Sequence, residues 1–158
     1  YTMIPNSDGM AAEIIRRLDL RSMGSMQPFA IIDKSSGHAV GMTTFMNIDA
    51  TNKHVEIGST WYAKSFQRSP VNTECKLLLM SHAFEKLGCI AIEFRTHVVN
   101  IQSRRAIERL GAKLDGILRN HMLMANGSLR DTAVYSVINS EWKTIKAHLH
   151  FQLNKKRD

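Results

Sequence analysis

Only two cysteines stand among the 158 residues, Cys75 and Cys89, and they form no Cys-x-x-Cys pair. That excludes a disulfide framework and makes a reducing, cytoplasmic setting the expectation. Neither thiol has a histidine beside it in sequence, so nothing supports a cysteine nucleophile. No apolar run reaches the length of a bilayer span and no charged-then-apolar leader opens the chain, so no membrane partner is expected. The seven histidines are dispersed, and His148-x-His150 lacks an evident third ligand, so no metal is expected either. Internal repeats and linker-like stretches are missing. Residues 1–158 therefore read as one domain, with 44% hydrophobic residues to build its core.

Acidic residues are the scarcer sign, 14 against 21 Lys and Arg, which gives a formal net charge of +7. Such an excess favours an anionic partner. The positive residues are scattered, with no basic stripe interleaved with aromatics. A nucleic-acid module, with its steep salt dependence, therefore ranks last. The run Lys155-Lys156-Arg157 reads as a solvated end.

Periodicity supplies the elements. Asp8 is placed to cap a helix whose apolar residues Met10, Ala11, Ile14, Ile15 and Leu18 recur at helical spacing. Gly24 marks its end. Strands are expected at 28–32, 38–48 and 55–62, as an antiparallel meander. On the third, Val55, Ile57, Ser59 and Trp61 share one face, and Glu56, Gly58, Thr60 and Tyr62 the other. A helix over 73–87 carries a stripe of Leu77, Met80, Phe84 and Leu87 and stops at Gly88. A strand over 89–98 and a helix over 101–110, ended by Gly111, complete a strand-helix-strand unit with a parallel pair. Strands over 116–124 and 130–138 form a hairpin through Asn126-Gly127. Ser140 is expected to cap a last helix bearing Trp142, Ile145 and Leu149.

Two helix starts are the chemically suggestive places. The stretch Gln67-Arg68-Ser69-Pro70-Val71-Asn72-Thr73-Glu74 joins a strand to a helix. Its free N–H groups and the positive end of the helix dipole suit phosphate. Arg68 adds charge, and Thr73 is placed to cap. Any strand-loop-helix junction shares these properties, so an ordinary capped helix competes with the phosphate site. Asn100-Ile101-Gln102-Ser103 opens the next helix, with Asn100 as N-cap and Ser103 in the first turn. If both starts flank one cleft, they offer two polar surfaces to one long anionic ligand.

The run from Glu56-Ile57-Gly58 through Gln67 to Glu74, then Asn100-x-x-Ser103 to Leu110-Gly111-Ala112, resembles the GCN5-related N-acetyltransferase (GNAT) superfamily. Within it, the chain is most similar to the branch of ribosomal-protein N-terminal (alanine/serine) acetyltransferases. The stretch 115–121 and the block from Arg130-Asp131-Thr132 to Glu141-Trp142 extend the likeness over nearly the whole chain. The resemblance implies an α/β (α+β) fold: a mixed, mostly antiparallel central sheet with one splayed parallel strand pair, about 55–62 and 89–98, and flanking helices. It implies acetyl-CoA as co-substrate, its pantetheine arm between the splayed strands, and a primary amine as acceptor, a protein N-terminus or a small amine. Gln67, Arg68, Ser69, Val71, Asn72 and Thr73 would then form the pyrophosphate loop. Gln67 fills the motif's first place, Pro70 stands for its first glycine, and Asn72 for its final small residue; Pro70 has no N–H to give. Asn100 would contact the pantetheine arm, and Ser103 would protonate the departing thiolate. Trp61 and Tyr62 flank the pantetheine or acceptor, unless they are core. The family's usual first strand and helix lie upstream of the place of Tyr1, so the chain reads as N-terminally shortened. A homo-oligomer or another association is expected to cover the sheet edge this leaves.

Acetyl transfer needs a base to take a proton from the amine and a donor for the oxyanion, in this family a backbone N–H of the splayed strand. Glu56 is the leading base, acting directly or through water, against the alternative of an exposed strand carboxylate; His121 is the second, against the commoner reading of a hydrogen-bonded structural histidine. Glu93, Arg95 and His97 project from one strand face, either lining the acceptor pocket or forming a surface charge ladder. The alternative function is a non-catalytic acyl-CoA-binding or regulatory domain, motivated by Pro70 and the shortened start.

Overall fold

A computed structural model of the protein describes residues 5–155; Tyr1, Lys156 and Arg157 lie outside them. In chain order the elements are α1 (Ser7–Ser22), β1 (Met26–Ile32), β2 (Ala39–Asp49), β3 (His54–Tyr62), a 3-10 turn (Lys64–Phe66), α2 (Val71–Glu85), β4 (Ala91–His97), α3 (Ile101–Arg109), β5 (Lys113–Leu123), β6 (Leu129–Ile138) and α4 (Asn139–Asn154). The six strands form one sheet in the order β1-β2-β3-β4-β6-β5. All neighbours are antiparallel except β3 and β4, as the strand-helix-strand pattern requires. The fold is the expected α/β (α+β) one.

The parallel pair holds for only three registers, His54 with Ala91, Val55 with Ile92 and Glu56 with Glu93. β3 then continues to Tyr62 and β4 to His97 on diverging paths. On its other side, β3 departs from β2 by a bulge: Thr44 faces Gly58, yet Met42 faces Trp61. Ser59 takes the left-handed conformation there, φ +47°, which bends the strand away from β4. The bulge makes the splay.

One face of the sheet is the core. Phe45, Val55, Ile57, Ile92, Phe94, Ala133, Tyr135 and Val137 meet Leu77, Met80 and Ala83 of α2 and Trp142, Ile145 and Leu149 of α4. Gly88, φ +65°, and Gly111, φ +96°, end their helices in the left-handed region, where a β-carbon is strained.

Four local expectations are corrected. The cap of α1 is Asn6, whose side chain accepts from Gly9 N at 2.9 Å, not Asp8. Its apolar residues Ile14, Ile15 and Leu18 are exposed, and Arg17 points inward at 3% exposure. The surface beneath is polar: the Arg17 guanidinium donates to Thr44 Oγ1 at 2.8 Å and to Glu13 Oε1 at 2.7 Å, and so remains satisfied while buried. α2 starts two residues early because Pro70, φ −61°, already has helical geometry; Thr73 is thus inside the helix, buried, and does not cap it. Leu87 lies past the helix end and is 54% exposed, with Ala83 completing the buried stripe instead. Finally β6 runs directly into α4, which has Ile138 at its N-cap and no capping side chain, so Ser140 has no capping role.

Candidate functional site

Where β3 and β4 part, three strands bring polar side chains to one face. Glu56, opposite both Met46 and Glu93, is only 6% exposed. Asn47, one residue along β2, donates from Nδ2 to Glu56 Oε2 at 2.7 Å. Asn47 holds φ +48°, a conformation asparagine tolerates better than most residues. Arg95 of β4 sits 3.7 Å from the same Glu56 oxygen and bonds Glu93 Oε2 at 2.8 Å, and His54 Nδ1 lies 3.8 Å from Glu93 Oε1. Burial pushes the Glu56 carboxyl above the usual carboxylate range; the Asn47 hydrogen bond and Arg95 partly offset this.

The two oxygens of Glu56 differ. Oε2 is bound, whereas Oε1 makes no hydrogen bond among the described residues and lies over Gly58, where a β-carbon would come within 3.1 Å of it. No buried side-chain oxygen in these residues is left unpartnered, so Oε1 is not sealed from solvent. A carboxylate with one oxygen anchored and the other without a partner has the chemistry to accept a proton.

Of the three residues expected on one face of β4, Glu93 and Arg95 join this network. His97 instead accepts at Nδ1 from Val99 N at 3.4 Å and shapes the turn into α3. His121 lies on the outer strand β5, exposed, and its Nδ1 pairs with Thr132 Oγ1 at 3.1 Å. The structure does not bring it to Glu56; the link between them is Arg130, which donates to Thr132 Oγ1 at 3.0 Å and whose charge acts on Glu56.

At the far end of β3 the loop closes on itself. Gln67 Nε2 donates to Tyr62 O at 3.2 Å, and Ser69 Oγ donates to Phe66 O at 2.6 Å and accepts from Val71 N at 3.3 Å. Arg68 is exposed at φ +60°. Pro70 occupies the N-cap with no capping side chain, and the first helical bond runs from Glu74 N to Pro70 O. The N–H groups of Asn72 and Thr73 are therefore without an intrahelical acceptor, and Pro70's missing N–H falls where the helix needs none. Tyr62 turns toward α2, its hydroxyl donating to Asn72 Oδ1 at 3.0 Å; burial raises its pKa, so it stays protonated. Trp61 is half-buried beside the bulge.

Across the cleft, Asn100 caps α3, its Oδ1 accepting from Ser103 N at 3.1 Å. Ser103 is half-buried, and its hydroxyl takes no part in the hydrogen bonds of the described residues. An extended ligand fits this frame: a strand edge unpaired beyond Glu56, free N–H groups at one helix start, and amide and hydroxyl groups at the other. Among the described residues no group of three or more His, Cys, Asp or Glu could hold a metal.

Sequence reasoning missed Asn47, Arg130 and Lys76. Lys76 of α2 is 5% exposed, and its Nζ donates to Thr43 Oγ1 at 2.9 Å and Thr60 Oγ1 at 2.7 Å. Burial without an acidic partner brings its pKa down to about 7. Its place one turn before Met80 of the apolar stripe is the signal that could have marked it as inward-facing; nothing comparable marks Asn47. A cavity of about 490 Å³ lies on the other flank of α2, against β1 and β2, lined by Phe29, Ile31, Val40, Phe66 and Leu79 among others. It is separate from the Glu56 face.

Residues 1–113 match the family model of the acetyltransferase (GNAT) domain. Over 107 residues the chain is 34% identical to the Bacillus subtilis (strain 168) protein named "Putative ribosomal N-acetyltransferase YdaF", a match covering 68% of this chain and 57% of that one. This chain thus spans little more than half of that relative. A GCN5-related N-acetyltransferase from Brucella melitensis superposes with a TM-score of 0.81 at 40% identity, over 90% of this chain and 64% of the other. RimJ of Mycobacterium smegmatis, solved in complex with CoA-disulfide, superposes at 0.77 over 92% of this chain and 68% of its own. At 22% identity that last likeness is one of fold.

Proposed function

Since the chain belongs to the GNAT acetyltransferase family, we propose that it moves an acetyl group from acetyl-CoA to a primary amine, by direct attack in a ternary complex. The observation that carries this reading is the open oxygen of Glu56 at the mouth of the splay. Acetyl-CoA supplies the acetyl group as a thioester. The unpaired edge of β3 and the amide of Asn100 hold the pantetheine arm, and Arg68 with the N–H groups of Asn72 and Thr73 holds the pyrophosphate. Glu56 Oε1 takes the proton that the attacking nitrogen must lose, directly or through one water. A β3 backbone N–H steadies the oxyanion, and Ser103 gives its proton to the sulfur as the C–S bond breaks and the C–N bond forms. Glu93 and Arg95 line the acceptor side.

The name of the Bacillus subtilis relative favours a polypeptide N-terminus over a small amine as acceptor. Assay of a peptide and polyamine panel with acetyl-CoA tests the proposal. Turnover that saturates in both substrates supports it. Saturable acetyl-CoA binding with no turnover on any amine would favour the second reading, a non-catalytic acyl-CoA-binding domain. That reading keeps its interest because Pro70 removes one phosphate donor from the loop. No helix of the described residues is long and apolar enough to cross a membrane.

A further inference from the structure

Glu56 would be a poor base if both its oxygens were equivalent and mobile. A carboxylate rotates about its last bond, and either oxygen could then turn into the Arg95 and Glu93 network. Asn47 prevents this. Its Nδ2 bonds Oε2 at 2.7 Å from the β2 side, while Arg95 stands 3.7 Å from that same oxygen on the β4 side. The plane of the carboxylate is thereby set by groups on both neighbouring strands. The remaining oxygen, Oε1, is directed along β3 over Gly58. A β-carbon at Gly58 would sit 2.7 Å from Met46 Sδ and 3.1 Å from Oε1, so the glycine keeps the space before that oxygen open.

The backbone is shaped for the same end. The β2–β3 register breaks between Met46 and Asp49, and Asn47 occupies the break in the left-handed conformation, φ +48°. A regular strand would point residue 47 to the sheet face opposite that of Met46. The irregularity returns its amide to the Glu56 side. Asparagine combines tolerance of this conformation with a side-chain N–H donor of the right length.

We infer that Asn47 is a positioning residue for the acetyl-transfer base, fixing Oε2 of Glu56 so that Oε1 alone meets the acceptor, with Gly58 holding that approach open. The inference rests on the reading of Glu56 as base. Asn47 touches no reacting atom, so its removal acts through Glu56. With the amide gone, the carboxylate loses an interaction that favours its charged form, and the acid limb of the pH–rate profile moves to higher pH. Asn47→Asp keeps size and conformational tolerance but replaces the donor by an acceptor, and moves the limb further the same way.

The test compares kcat and KM across pH for the full chain and for Asn47→Asp, Asn47→Gly, Gly58→Ala and Glu56→Gln. Glycine adopts φ +48° without strain but frees the backbone, whereas Asn47→Asp keeps the conformational tolerance and removes the donor; the two together separate loss of the amide from loss of backbone order, and far-UV circular dichroism verifies each fold. Expected is a fall in kcat of about tenfold for Asn47→Gly, the size of one hydrogen bond to a charged group. The KM for acetyl-CoA stays within about twofold, on the same separation of binding from chemistry. Gly58→Ala raises the KM of the amine. If Glu56→Gln slows transfer but Asn47→Gly and Asn47→Asp leave kcat and the acid limb where they were, the inference is wrong and Glu56 still stands as base. If Glu56→Gln itself has no effect, the reading of the base fails first, and this one with it.

Discussion

Two buried ionisable groups flank the β2–β3 pair from opposite faces, and they differ instructively. Glu56 and Lys76 are 6% and 5% exposed, and burial pushes each toward its neutral form. By that measure both mark a site. Their surroundings separate them. Lys76 Nζ is enclosed between Thr43 and Thr60, whose hydroxyls are also within 2.8 Å of each other. Glu56 has one oxygen held and one without a hydrogen-bond partner among the described residues, where the strands diverge. A shifted pKa reports burial; a reachable atom beside a ligand-shaped opening reports function.

The comparison breaks most sharply at Glu56. Glu56→Gln should lower kcat/KM at neutral pH by on the order of a hundredfold or more, as loss of a general base does, while calorimetry finds acetyl-CoA affinity nearly unchanged. In the native chain, activity is lost as pH falls through a pKa raised above the ordinary carboxylate range. At Lys76 the readout is stability. Its folded pKa, about 7, lies below the unfolded value of 10.5. Between these values the unfolded chain binds more protons, so stability rises with pH through that window and the burial cost is fully present below it. Lys76→Met should stabilise the protein at pH 7 by roughly 1–4 kcal/mol and flatten the rise, both measured by urea denaturation at several pH values. Turnover should hold. The smallest expected effect is at the cleft's other wall, where Asn100→Ala weakens acetyl-CoA binding about tenfold by titration calorimetry, through the lost contact and the lost α3 cap.

How much of this was legible in the sequence follows the range of each interaction. The strand-helix-strand unit, the hairpin at Asn126-Gly127 and the stops at Gly88 and Gly111 are local, and were read correctly from spacing. Glu56 was visible because it alternates with Val55 and Ile57 on a strand whose family likeness was plain. Facing was harder. The apolar stripe of α1 points outward because Arg17 finds Thr44 across the sheet, a contact 27 residues away. The partnership of Asn47 with Glu56 depends on a register break that no periodicity announces. Thr73 looked like a cap only because the conformation of Pro70 was not foreseen.

Amine acetylation through the unpartnered oxygen of Glu56 is the central claim. Mass spectrometry of an acceptor peptide incubated with acetyl-CoA and the native chain, in parallel with Glu56→Gln, tests this most directly. The predicted result is an added acetyl group on the peptide's terminal amine, formed readily by the native chain and very slowly by the variant. Equal acetylation by both, or acetyl-CoA binding with no acetylated amine from a folded native chain across the panel, would contradict it.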